Sequence, residues 1–181
     1  MSKETEATIE DLYLARSKAE IVDGELILLS PLGDLPSSAA FEIAVSLRTF
    51  ARRTKTGRAY TDNAAFIVDL PNRRSFSPDA AYYIGPRSIG KFLQGPPLFA
   101  VEVRSEDDYG LNAETLIARK RSDYFAAGTQ VVWDVDVLRD RVIRSCLAVN
   151  PSAAKVFHCG EIADAGPALP GWSLPVDDLF E

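Results

Sequence analysis

From Ser37 the apolar positions fall into a helical rhythm: Ala40, Ala44, Leu47 and Ala51 share one face, flanked by Ile43 and Phe50, and Gly57 marks the expected stop. A second helix is predicted over 111–127, ended by Gly128, and a short polar one over 5–19. Residues 21–30 read as a strand pair turning at Asp23-Gly24, because an Asp-Gly dipeptide tolerates the positive backbone angles of a tight turn. Residues 31–36 read as a loop, and further strands are expected over 59–70, 79–84, 98–104, 130–136 and 141–149. The tail containing Leu169-Pro-Gly-Trp-Ser-Leu-Pro is too rich in proline for regular structure and is expected to pack on the surface through Trp172 and Phe180. Strands followed by a helix and another strand, with an earlier helix on the other side, describe an α/β (or α+β) fold: a mixed β-sheet flanked by helices on both faces. The apolar run Leu98-Phe-Ala-Val suits a central strand covered on both sides.

Three residues interrupt these patterns in a way that invites chemistry. Strand alternation puts Phe99, Val101 and Val103 on one face of the 98–104 strand and Ala100, Glu102 and Arg104 on the other. Glu102 is therefore a carboxylate in an apolar setting, and burial obliges it to find a cation, hydrogen-bond donors or a metal ion. A structural salt bridge to an arginine serves that need as well as a metal does. Asp79 follows Pro78 at the mouth of the next strand, where the proline gives it a rigid approach, although Pro-Asp is also a common loop dipeptide. On a wheel of about 100° per residue, Lys120 falls near the middle of the stripe Ala113, Ile117, Tyr124 and Ala127, while Arg119 and Asp123 point away. Such a lysine either meets a buried acid or carries its head to solvent. Two carboxylates and a backbone carbonyl, that of Val103, are hard oxygen ligands suited to magnesium or manganese with several waters retained. A lysine beside them can orient a water or offset charge on a phosphate.

Composition narrows the choice. With 181 residues, 46% apolar and 25% charged, the chain is long enough for one well-packed core, so a single domain over 1–181 is expected, with its core over about 20–140 and further strands and tail over 141–181. No apolar run reaches membrane-spanning length and the N-terminus carries no signal pattern, so a cytoplasmic protein with no membrane partner is expected. His158 is the only histidine, which removes histidine-based triads and histidine-rich metal sites; Cys146 and Cys159 lack metal-ligand spacing. The net charge of −6 opposes nonspecific nucleic-acid binding, but residues 46–91 carry nine basic against three acidic side chains. There Arg48, Arg52, Arg53, Lys55 and Arg58 cluster at a helix end, and Arg73 and Arg74 precede Asp79, as a basic stripe beside an acidic site. The helix-end cluster reads equally as a solvated face with cations at a helix C-terminus.

As an ordered set, Asp23-Gly-Glu-Leu26, Pro78-Asp79, Phe99-Ala-Val-Glu-Val103 with Ser105, Lys120 followed by Tyr124-Phe-Ala-Ala-Gly128, and Val132-Trp-Asp-Val-Asp136 resemble the Uma-two family of restriction endonucleases, within the PD-(D/E)XK superfamily. The resemblance implies a restriction endonuclease-like fold and magnesium-dependent cleavage of DNA. It carries metal binding to Asp79 and Glu102 and the catalytic lysine to Lys120. In the wider superfamily the lysine usually stands two residues after the glutamate, where this chain has Arg104, so the resemblance implies a lysine moved onto the following helix, with Arg104 as a further charge. Glu25, in the Asp-Gly-Glu-Leu segment, is an additional candidate carboxylate or a strand-end surface residue, and Tyr124 an additional candidate beside Lys120. Asp134 and Asp136 share a strand face and are read as structural or cleft-lining. Glu106 stands where many relatives have proline, and no histidine follows Leu29. The expected partners are DNA and a second copy of the chain. Two other readings stay open: a noncatalytic interaction module that keeps the nuclease fold, and a hydrolase of smaller phosphodiesters.

Overall fold

The computed structural model describes residues 6–180; Thr5, the first residue of the expected N-terminal helix, lies outside them. That helix is shorter than expected. α1 (Ile9–Leu14) opens at Thr8, whose hydroxyl accepts the Asp11 amide while the Asp11 carboxylate accepts the Thr8 amide. The chain then turns extended and enters β1 (Ala19–Val22), which pairs with β2 (Glu25–Leu28) around Asp23 and Gly24 at φ 52° and 79°. Both angles are positive, as the Asp-Gly turn predicts.

α2 (Asp34–Thr54) starts inside the expected loop, with Pro36 in its first turn, where a missing amide costs nothing. Its end is set by Lys55 at φ 58°, rather than by Gly57. Gly57 serves packing instead, since a Cβ there would come within 2.4 Å of the Tyr82 ring and only glycine admits this approach. The strand expected over 59–70 is two strands, because the chain turns at Asn63 (φ 64°). β3 (Arg58–Thr61) joins one sheet and β4 (Phe66–Leu70) another. There follow β5 (Arg73–Phe76), β6 (Ala80–Tyr83), β7 (Leu93–Gln94) and β8 (Phe99–Val103), then α3 (Leu111–Ala127), stopped by Gly128 at φ 114°. Beyond it lie β9 (Val131–Asp136), β10 (Val142–Leu147), β11 (Asn150–His158), β12 (Ile162–Asp164), β13 (Ser173–Pro175) and a 3-10 turn over Val176–Phe180.

The central sheet runs β11-β10-β9-β8-β6-β3; β8 and β9 are parallel and the other neighbours antiparallel, so the sheet is mixed. α2 buries Ile43, Leu47 and Phe50 on one face against Phe99, Val101 and Trp133. On the other face α3 presents Tyr124 to Ala100 and Val132. The fold is thus the expected mixed α/β arrangement with helices on both faces. A second sheet, ordered β2-β1-β5-β4-β7, packs beside α3, where the Phe76 ring stacks on Tyr124 at 3.9 Å. The sequence reading assigned one sheet. Four-residue strands such as β1 and β5 carry too few alternations to declare a sheet of their own.

The tail also departs from expectation. β12 and β13 form a ribbon, and Trp172, Leu174, Val176 and Leu179 are buried in the α2 side of the core. Proline is compatible with such an edge ribbon, and the apolar face of α2 has to be covered. The Trp172 ring lies 5.1 Å from Trp133 and 5.5 Å from Phe99, and its indole N–H donates to the Ser46 hydroxyl at 3.1 Å. Phe180 is half-buried against the same cluster. Trp172→Ala should therefore destabilise the protein by about 3–5 kcal/mol, read as a shift in the urea unfolding midpoint. A loss below about 1 kcal/mol would return the tail to the surface role first expected of it.

Candidate active site

Asp79 is held just before β6, where its amide donates to the Val101 carbonyl at 3.0 Å. Its carboxylate passes the end of the β6–β8 ladder, and Oδ2 accepts the Val103 amide at 2.8 Å. In extended backbone a residue's carbonyl leaves by the same edge as its amide, so the Val103 carbonyl faces this opening too. Glu102 projects from the α3 side of β8, as strand alternation requires. There Lys120 Nζ lies 2.8 Å from its Oε2, and the Tyr124 hydroxyl donates to its Oε1 at 2.6 Å. Lys120 and Tyr124 are one helical turn apart and grip the two oxygens of one carboxylate together. Asp79, Glu102, Val103, Lys120 and Tyr124 are therefore brought to one sheet margin.

The sequence reading missed the groups behind them. Glu20, buried on β1, has Oε1 at 2.9 Å from Lys120 Nζ and 2.8 Å from the Ser77 amide, and Oε2 at 2.5 Å from Arg73 Nη1. Arg73 Nε in turn donates to Asp123 at 2.9 Å. Lys18 Nζ lies 2.6 Å from Asp79 Oδ1 and 2.5 Å from Asp62 Oδ1. Reading residues 5–19 as helix hid the one available signal: on a strand, Lys18 and Glu20 share a face.

Several expectations are corrected by these contacts. Asp123, expected off the Lys120 stripe, is not left to solvent there; the second sheet packs against that side of α3, and Arg73 and Asn72 reach it. Arg73 is not part of a phosphate-facing stripe, since it is buried between Glu20 and Asp123. Arg52 and Arg53 end α2, on the sheet face opposite α3. Arg104 brings no free charge: its Nε and Nη2 each donate to Asp134 at 2.7 Å and its guanidinium also holds Glu114. Asp136 accepts the Tyr109 hydroxyl and the amides of Leu138 and Arg139, a structural role. Glu25 is exposed and lines the cleft, and among the described residues no hydrogen bond ties it to Asp79 or Glu102.

Charge and burial oppose each other throughout the site. Burial pushes the Glu102 carboxyl up, Lys120 pulls it down, and Asp79 and Glu20 push it up again, leaving it above the usual glutamate range. Burial acts on Glu20 in the same sense, but Lys120 and Arg73 outweigh it and hold Glu20 below that range. Burial would lower Lys120; the charges of Glu102 and Glu20 reverse this, so the ammonium stays charged. Desolvation and the Glu102 and Glu20 charges keep the Tyr124 hydroxyl protonated, as a donor. Among the described residues, the linked network sets Asp62, Asp79, Glu20, Glu102 and Asp123 against Lys18, Lys120 and Arg73. Of these, Glu20, Asp79, Glu102, Lys18, Lys120 and Arg73 line a cleft of about 570 Å³, walled also by Leu28, Leu32 and Ile117.

A mixed sheet flanked by helices is the restriction endonuclease-like architecture of the PD-(D/E)XK-like nuclease superfamily. Residues 7–177 match the Uma2 family, described as "Putative restriction endonuclease", and the chain belongs to that family. A solved structure from Anabaena variabilis ATCC 29413, described as "a putative nuclease belonging to DUF820", superposes with a TM-score of 0.75 at 16% identity, over 96% of this chain and 97% of that one. At that identity the likeness is one of fold. No curated protein matches the chain. No helix among the described residues is long and apolar enough to cross a membrane.

Removing Arg73 would take a shared cation from two buried carboxylates, leaving Glu20 with Lys120 and the Ser77 amide and Asp123 with Asn72. Arg73→Met should cost about 3–5 kcal/mol at neutral pH by urea denaturation. Because Glu20 is depressed in the folded state, its stabilising contribution is complete above the ordinary glutamate range and disappears as pH falls through the depressed value. The deficit of the variant should shrink over that acid window, and a deficit independent of pH would contradict the assignment of Arg73 as the partner of Glu20.

Proposed function

We propose that this protein is a metal-dependent endonuclease that hydrolyses DNA phosphodiester bonds, with Asp79 and Glu102 as metal ligands and Lys120 as the catalytic cation. The reading is carried by the convergence of Asp79 and Glu102 on the end of β8, with the Lys120 ammonium 2.8 Å from Glu102.

The donors suit a hard divalent ion such as Mg²⁺ or Mn²⁺. They are two carboxylates and the Val103 carbonyl. No group of three or more Asp, Glu, His or Cys side chains arranged to hold a metal occurs among the described residues, so the ion would keep several waters. When bound, the metal supplies charge neutralisation at the phosphate and a more acidic water. The chain supplies position. Tyr124 fixes one oxygen of Glu102 and Lys120 the other, so this carboxylate has little rotational freedom. Glu20 holds Lys120 from behind, placing its ammonium where it can orient the attacking water or meet the charge that grows on phosphorus oxygens. Water attacks phosphorus in line, a P–O ester bond breaks, and the alkoxide leaves as an alcohol after taking a proton.

One observation favours a second reading, a noncatalytic nuclease-fold module acting as a homodimer. Lys18, Arg73, Arg104, Arg119 and Lys120, which line the cleft, are all ion-paired, so the cleft offers a phosphate backbone no spare cation from among them.

The test is nicking of supercoiled DNA with Mg²⁺ or Mn²⁺. Asp79→Asn, Glu102→Gln and Lys120→Met should each lower the rate by about 10²–10³-fold or more, with circular dichroism unchanged. Metal affinity should rise with pH through a step above the ordinary glutamate range, since Glu102 must lose its proton to act as a ligand. Titration calorimetry without a metal signal, together with intact DNA and RNA under both metals, would decide for the noncatalytic module.

A further inference from the structure

Each of the two site carboxylates has its oxygens assigned. Glu102 gives Oε1 to Tyr124 and Oε2 to Lys120; Asp79 gives Oδ2 to the Val103 amide. Asp79 Oδ1 is the oxygen left to face a cation, and Lys18 Nζ stands 2.6 Å from it. Lys18 is within the field of Glu102 as well as Asp79. The same nitrogen is shared with a second carboxylate, Asp62, more than half exposed in its side chain and 2.5 Å away. A divalent ion taking Oδ1 would repel an ammonium on that oxygen, and a four-carbon stem is long and flexible enough to withdraw toward Asp62.

We infer that Lys18 is a built-in competitor for the cation position at Asp79, giving up its Asp79 contact and keeping that to Asp62 when a divalent ion binds. The inference rests on the proposed metal role of Asp79 and Glu102. Lys120 cannot take this part, because it is held between two acids on the far side of Glu102. Lys18 therefore neutralises Asp79 until a metal arrives. It makes the site responsive to divalent-ion concentration, since each binding event includes moving one positive charge away.

The experiment is calorimetric titration of Mn²⁺ into the full chain, with no nucleic acid present. Lys18→Gln should bind Mn²⁺ at least about tenfold more tightly than the wild type, and Lys18→Arg, which keeps the charge, should not. Asp62→Asn removes the second acceptor and should weaken binding severalfold, and this loss should vanish when Lys18→Gln is also present. That coupling separates displacement from a simple change of field, because a field effect of Asp62 would persist in the double variant. Wild-type binding with no gain in Lys18→Gln, or an Asp62→Asn loss that survives in the double variant, overturns the inference and leaves the proposed metal site standing. Absence of binding in both wild type and Lys18→Gln removes the metal site and the inference together. Tighter binding in Lys18→Gln, together with a wild type that binds Mn²⁺ and leaves DNA intact, keeps the inference and rejects the nuclease activity. If Lys18→Gln does not fold, Asp62→Asn decides alone, because its side chain is largely in solvent: unchanged affinity there overturns the displacement.

Discussion

A carboxylate withdrawn from water without matched charge costs several kcal/mol, and the placement of Glu20 answers that cost with three donors from three parts of the chain. Lys120 comes from α3, Arg73 from β5 and the Ser77 amide from the link into β6. These contacts tie the second sheet to α3 and to the approach of the strand that carries Asp79. Lys120 is fixed in direction because it is shared: one acid behind it, Glu20, and one before it, Glu102. Without Glu20 the ammonium would have a single partner and room to swing.

The parts of this arrangement that were legible in the sequence are those governed by local period. α3 was bounded correctly because Gly128 takes a positive φ that only glycine adopts freely, and Lys120 stood out against an apolar stripe. Alternation placed Glu102 on the α3 face and Val103 toward the α2 side. What was not legible depends on partners distant in the chain. Arg73 looked like a surface cation because nothing near it in sequence announces Glu20, 53 residues away, or Asp123, 50 residues away. The error at β1 was local: a polar α1 followed closely by a four-residue strand leaves too few positions to see the period change, and Lys18 and Glu20 were lost with it. Trp172 was misplaced because proline content was read as irregular structure at the surface, whereas the open face of α2 demanded a cover.

Arg104 is held by its own ion pairs and not left free in the cleft. It occupies the position two residues beyond Glu102, and it is bound on two sides by Asp134 and Glu114, its guanidinium tightly retaining its proton in consequence. A planar fork engaged by one carboxylate in this way fixes β8 to β9 and to the first turn of α3. It thereby sets the helix over the sheet, and the helix then delivers Lys120 and Tyr124 one turn apart. Arg104 is in this sense a strut between strand and helix.

The same geometry makes the chemistry of the cleft depend on the aromatic packing beneath it. Tyr124 donates to Glu102 from a ring stacked at 3.9 Å on Phe76, so the hydroxyl is aimed by the second sheet and not by α3 alone. Phe76 also lies under the Arg73 guanidinium, 4.9 Å from it, which links the apolar stack to the ion network. A shift of β5 would therefore move both supports of the site at once: the arginine that neutralises Glu20 and the ring that steers Tyr124. Among the described residues Glu102 has no hydrogen-bond partner on the α3 side beyond Lys120 and Tyr124, and both inherit their positions from that contact between sheet and helix. The second sheet, invisible in the periodicity of the chain, is in this sense the platform on which the candidate metal ligand is oriented.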